Sequence, residues 1–436
     1  MSSEFRVQSS ELPSPFLLSM RERAGVRVLI ALCIFHFASL NSHALDLHGF
    51  LQGNYSARIT DDGPPQENGS DYLLSEERFQ LKLSETSKDG SASLFLRTDF
   101  FHDGVDEESD IVVREGFIDY TKGNLDMRLG RQIVTWGTGD LLFINDVFPK
   151  DYEAFYSGRP LEYLKAPVDG LKIGLSSAIS AEVIAIPTFE PNRFPGSDRF
   201  YLFDPFPSAT ERITEKPGDR LNDTELAARL YRYIGSYDVS LYAYKGFSRM
   251  PGMRADQAVT TVTTIYPELA VYGASVTGNV IGGIGNLEAG YYDSREDRDG
   301  ADPTVENSKW KFMAGYRKEA GADLTVGVQY YMEVMDDYSD YKRTLPAGFP
   351  KDDRVRDYAT LRITKMLLYQ TLRLSLFTIY SPSDEDYLLN PEGVYKLTDE
   401  LSLTAGVNVF GGKDDFTPFG QLDRNDNIYV NLRYEF

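Results

Sequence analysis

From residue 45 to the C-terminus the chain repeats short runs in which apolar and polar residues alternate with a period of two, with no long stretch of helical periodicity. "FQLKLS" sets Phe79, Leu81 and Leu83 against Gln80, Lys82 and Ser84. "WKFMAGYRK" sets Trp310, Phe312, Ala314 and Tyr316 against Lys311, Met313, Gly315 and Arg317. "LTVGVQYYM", "TLRLSLF", "LSLTAGVNVF" and the closing "NIYVNLRYEF" behave alike. Successive strand residues point to opposite faces, so each run makes a ribbon that is apolar on one side only. The runs last about ten residues, the length of a tilted strand that crosses a bilayer.

The connections sort into two kinds. Residues 87–90, 121–124, 234–237, 319–323 and 397–400 are tight, with Gly, Asn or Asp where a turn needs them. Residues 60–74, 189–220, 294–307, 336–353 and 411–425 are long and polar. Short turns at one end and long loops at the other describe an outer-membrane barrel with its turns in the periplasm and its loops outside. The spacing therefore predicts an all-β fold, a transmembrane antiparallel up-and-down barrel of about 18 strands. "DVSLYAYKGF" and "DIVVREGFIDY" are ambiguous, and without them the count is 16. The strand near 46–60 must pair with 427–436, because an open sheet edge in lipid leaves several kcal/mol of unmet hydrogen bonding per backbone group.

The chain start reads differently. Arg21, Arg23 and Arg27 precede the apolar run 28–40, and Ser42, His43 and Ala44 supply small residues around a cut after Ala44. That order is a secretory signal peptide over 1–44, with Met20 as an alternative start and 45–436 as the mature barrel. The single cysteine, Cys33, lies inside the run behind Leu32, where a lipoprotein signal would carry a small residue. The mature chain then has no thiol, disulfide or cysteine metal site, and we expect no cofactor or metal. A net charge of −21 argues against a nucleic-acid partner.

If the apolar parity faces lipid, the other faces the lumen. That set holds Arg58, Lys82, Arg97, Arg128, Arg229, Lys309, Lys311, Arg317, Arg354, Arg356, Arg362, Arg373 and Arg433, against the carboxylates Asp99, Asp126, Glu225, Glu288, Glu333 and Glu435. The remaining acidity gathers in "HDGVDEESD", "DSREDRDGAD", "MDDYSD" and "SPSDED". Arg97, Arg128, Arg354, Arg356, Arg362, Arg373 and Arg433 are the pore-lining candidates. Two readings stay open: guanidinium groups at a constriction favour anions, or the arginines pair with inward carboxylates and neutralise the wall. The acidic loops read as a solvated surface, or as a site for the divalent cations that bridge lipopolysaccharide.

The loop from Gly130 to Leu175 is rich in Leu, Phe, Ile, Tyr and Pro, unlike the other long connections. So apolar a segment needs something to fold against, and the lumen is at hand; we expect 137–166 to bend inward as a constriction or partial plug, with "WGTGD" permitting the reversal. Packing flat on the rim is the alternative. Gly130-Arg131-Gln132, Trp136-Gly137, Gly139-Asp140, Asp146, Pro149 and Asp151 resemble a pattern in poorly characterised porin-like outer-membrane proteins. Some of these are grouped with alginate-export-type barrels or accompany resistance-nodulation-division transport systems. The resemblance implies an outer-membrane transport barrel and no particular substrate. The terminal strand ending in Phe436 likewise resembles the signature that outer-membrane assembly machinery reads.

The expected function is a porin-like passive channel for small polar or anionic solutes. The alternatives are an exporter barrel for an anionic polysaccharide, or a partner of an envelope transport system, and a surface adhesin using the acidic loops. Expected partners are outer-membrane lipid and lipopolysaccharide, with homo-oligomerisation left open. Enzyme chemistry has little material: only His48 and His102 follow the signal peptide, and no Gly-x-Ser-x-Gly elbow occurs.

Overall fold

The computed structural model describes residues 46–60 and 71–436; the expected signal peptide lies outside them. The strands are β1 (Asp46–Arg58), β2 (Tyr72–Thr86), β3 (Ala92–Asp103), β4 (Glu108–Lys122), β5 (Leu125–Gln132), β6 (Val168–Leu175), β7 (Ser180–Ile186), β8 (Glu211–Thr214), β9 (Glu225–Ile234), β10 (Tyr237–Phe247) and β11 (Gly252–Ala255). They continue as β12 (Thr261–Ile265), β13 (Glu268–Val280), β14 (Gly283–Ser294), β15 (Lys309–Gly321), β16 (Leu324–Met335), β17 (Val355–Leu367), β18 (Leu372–Ser381), β19 (Asp386–Lys396), β20 (Leu401–Gly412) and β21 (Asn427–Glu435).

Eighteen of these form one sheet, in which each strand pairs with its neighbours along the chain. The sheet closes where β1 pairs antiparallel with β21, from Phe50↔Glu435 to Arg58↔Asn427. The 16-strand count is thereby set aside: "DIVVREGFIDY" belongs to β4 and "DVSLYAYKGF" to β10. Both chain ends of the barrel and its tight turns share one rim, the turn end; the opposite rim is the loop end. Two loop-end connections are short, 104–107 and 382–385, because "HDGVDEESD" and "SPSDED" are hairpin tips of extended strands.

Burial runs opposite to that of a soluble sheet. On β21 the outward Ile428, Val430 and Leu432 are exposed, whereas the inward Asn427, Tyr429 and Asn431 are buried. β1 repeats this with Leu51 and Tyr55 outside and Gln52, Asn54 and Ser56 inside. A continuous apolar exterior over a polar, covered interior suits a barrel whose outer solvent is lipid. Phe436 completes the seam: its backbone exchanges 3.0 Å hydrogen bonds with Gly49 and its ring stacks on Phe79 at 6.0 Å. A Cβ on Gly49 would lie 2.7 Å from the Phe436 ring, so glycine leaves the ring its place.

The hydrophobic core lies inside the barrel. Val134, Trp136, Val147 and Phe148 pack on Ile184, Ile186, Tyr242, Tyr244 and Val271 of the wall. A second cluster joins Phe200 and Leu422 to Phe377, Ile379, Leu388 and Phe410. These inward wall positions near the loop end are apolar because loops cover them. The long polar connection 189–220 contributes β8 to a small loop-end sheet, where β12 pairs antiparallel with β11 and parallel with β8. Strands of four or five residues carry too few positions for alternation to register.

Candidate functional site

Between β5 and β6 the chain leaves the wall at residue 133 and returns at 167. Backbone groups of such a segment must find partners wherever water is excluded. Trp136 Nε1 donates to Glu182 at 2.7 Å, and its ring meets Phe148 edge-on at 5.1 Å. Gly137 then takes φ +77°, which turns the chain along the wall. The Glu288 carboxylate accepts from Thr138 N and Oγ1 at 2.8 and 2.9 Å, and from Asn145 N and Nδ2 at 2.7 and 2.9 Å. Gln329 pairs both ways with the Asp140 backbone, at 2.7 and 2.9 Å. Tyr292 donates to Ile144 O at 2.5 Å, and a Cβ on Gly290 would lie 2.7 Å from the Ile144 side chain.

The returning half crosses the other side of the lumen. Asp151 caps the short helix α1 (Tyr152–Tyr156), accepting from Ala154 N at 2.8 Å. Asn408 and Asn427 each donate to Tyr156 O at 3.1 Å. Arg159 reaches Glu76 at 3.1 Å and Tyr163 donates to Asp99 at 3.1 Å. Asp146 is held between Lys150 at 3.0 Å and Lys165 at 3.4 Å. Burial pushes the Lys150 ammonium below its ordinary pKa against the pull of Asp146, and pushes the Glu153 carboxyl up despite Arg193 and Arg159.

Most of the arginines singled out in the sequence are engaged with carboxylates. Arg97 meets Glu115 at 2.7 Å, Arg128 meets Asp119 at 2.7 Å, and Arg373 meets Glu392 at 3.1 Å. Arg356 is shared among Asp352 at 2.8 Å, Asp384 at 2.9 Å and Glu333 at 3.8 Å. Arg433 joins Glu162 at 2.6 Å and Glu435 at 2.9 Å, and Arg362 forms a two-point pair with Asp140. Arg354 lies one residue before β17, exposed in the loop-end connection, where it lines a cavity of about 370 Å³ with Lys309, Glu333 and Arg356. The inward carboxylates are more numerous than the sequence count, with Glu76, Asp103, Glu115, Asp119, Glu182, Asp238 and Glu392 added on the wall. The loop adds Asp140, Asp146, Glu153 and Glu162.

Cavities remain on both sides of the loop. One of about 340 Å³ opens toward the loop end among Tyr152, Tyr156, Tyr292, Lys309, Lys311 and Arg356. Toward the turn end lie one of about 470 Å³, beside Thr138, Arg229 and Ser240, and one of about 150 Å³, beside Asp140, Arg317 and Arg362. Outside the lumen, His102 Nδ1 lies 3.0 Å from Ser109 Oγ at the exposed tip of the β3–β4 hairpin. Glu77 is the ladder neighbour of His102, and among the described residues no hydrogen bond orients the other ring nitrogen.

A family profile described as "Protein of unknown function (DUF1302)" matches residues 82–364. The chain belongs to this family. The description gives no activity, and no curated protein matches. Among solved structures, OccD3 (OpdP) of Pseudomonas aeruginosa is similar over 90% of this chain and 91% of its own, at 10% identity and TM-score 0.55. OccK11 (OpdR) of the same organism is similar over 90% and 96%, at 10% identity and TM-score 0.52. The DUF1302 chain thus has the fold of outer-membrane porins, and its seamless apolar exterior makes it an integral barrel of that membrane.

The matched region contains the whole 133–167 loop and its contacts with Glu182, Glu288 and Gln329, whereas Glu76, Asn408 and Asn427 lie outside it. Glu288 and Gln329 hold that loop. Strand parity places Glu288 inward, yet neither residue is among the site candidates that the sequence singles out. Both carried a faint signal, being polar residues on the inward parity of β14 and β16.

Proposed function

We propose that this barrel is a passive channel for small polar solutes across the outer membrane, with anions favoured and with the 133–167 loop narrowing its lumen. The observation that supports this reading most is the path of that loop. It hydrogen-bonds to inward residues of β7, β14 and β16, then of β20, β21, β2 and β3, and leaves solvent cavities on either side. A ring of contacts of this kind narrows a water-filled barrel without sealing it. Paired arginines contribute little net charge, so the anion preference is modest and comes from whichever cations the carboxylates leave over. Export of a polysaccharide would need the loop to swing aside, against all of those hydrogen bonds.

The test is a planar bilayer holding the purified barrel in a potassium chloride gradient. The expected reversal potential favours chloride over potassium. A cation-favouring potential would overturn the anion preference, and absence of any current from inserted protein would overturn the channel.

A further inference from the structure

Resting on that channel reading, we propose that the turn-end chamber beneath the loop tip is a binding site for one small oxyanion, a carboxylate or a phosphate, centred on Arg317. Arg317 lies on the inward parity of β15, and its cross-strand neighbour Gly327 has no side chain to crowd it. Unlike the arginines paired above, it makes no ion pair with a described residue, and it is exposed to the lumen. The chamber of about 150 Å³ has room for a small anion.

Its chemistry is one-sided. Two guanidinium groups, Arg317 and Arg362, face a single carboxylate, Asp140, so the chamber carries 2 − 1 = +1. The Asp140 carboxylate is already held by Arg362 in a two-point pair, and the Arg317 guanidinium makes no hydrogen bond with a described residue. The surrounding groups include the hydroxyls of Thr277, Thr325 and Thr364, while the Asn286 amide already donates to Thr138. The buried Thr277 hydroxyl has no hydrogen-bond partner among the described residues, an unmet donor in the same chamber. A planar five-donor fork backed by hydroxyl groups fits an oxyanion, and the low-dielectric wall concentrates its field.

Two measurements test this. With inorganic phosphate as the probe, phosphorus NMR lines should broaden on adding the refolded wild-type barrel, remain sharp with Arg317→Ala, and broaden partly with Arg317→Lys. This readout needs no current, so it separates the site from the channel. In bilayers, Arg317→Ala should lower the chloride-to-potassium permeability ratio by about threefold, the scale of one unit charge acting through water at close range. Lys88→Ala removes the same charge from an exposed turn and should leave the ratio unchanged. Equal phosphate broadening by wild type and Arg317→Ala, or an unaltered ratio in a conducting Arg317→Ala barrel, overturns the site; a barrel that binds phosphate through Arg317 but passes no current overturns only the channel.

Discussion

Glu288 is buried at 4% exposure and, among the described residues, has no cationic partner. Its charge is balanced by four neutral donors from the loop. Glu288→Leu would leave the Thr138 and Asn145 amides without acceptors, at about 1–3 kcal/mol for each group that stays buried. The loop should loosen: single-channel current noise rises and protease cuts within 137–146 faster than in wild type. Glu288→Gln keeps an acceptor oxygen and should give a smaller effect. Identical noise and cleavage in Glu288→Leu would show that the loop is held by other contacts. Asp140→Asn acts in the opposite sense on charge. It strips Arg362 of its ion-pair partner while leaving the Asp140 backbone on Gln329, so chloride preference should increase by about threefold in the reversal potential. No increase would mean that Arg362 lies off the ion path.

At the scale of elements, the loop and the closing strand do separable jobs. Excising 140–160 removes the segment bridging the lumen while β5 and β6 keep their ladder. Liposomes carrying the excised barrel should then swell faster in a small neutral sugar than those carrying wild type; equal or slower swelling would contradict a narrowing role. Deleting Phe436 removes the 3.0 Å backbone pair with Gly49 and the stack on Phe79. Folding into detergent should slow, seen as delayed appearance of the heat-modifiable gel band, and an unchanged rate would make that contact incidental. The strands were legible in the sequence because a two-residue period survives wherever lipid lies on one side. It blurred at Ile184, Ile186, Phe377, Ile379 and Leu388, which point inward yet are apolar because loops cover them. The arginines were legible as inward residues, and their pairing with inward carboxylates was one of two open readings; which carboxylate each would meet was not legible. Their partners, such as Glu115 for Arg97 and Glu392 for Arg373, sit on neighbouring strands whose register one sequence does not reveal.

For the whole molecule, closure and loop packing depend on each other. The barrel wall satisfies backbone hydrogen bonds in lipid only when β21 meets β1, and the apolar loop finds cover only within a closed wall. A net charge of −21 is compatible with this arrangement because the inward charges are largely paired and the rest meets water at the rims. On the proposed channel reading, closed wall and inward loop must leave a narrowed water path from loop end to turn end. Single-channel recording of the refolded 45–436 chain tests that path most directly. Discrete current steps are expected, larger when the loop is excised; a heat-modifiable barrel that inserts into the bilayer and passes no current, with or without the loop, would contradict a water path through it.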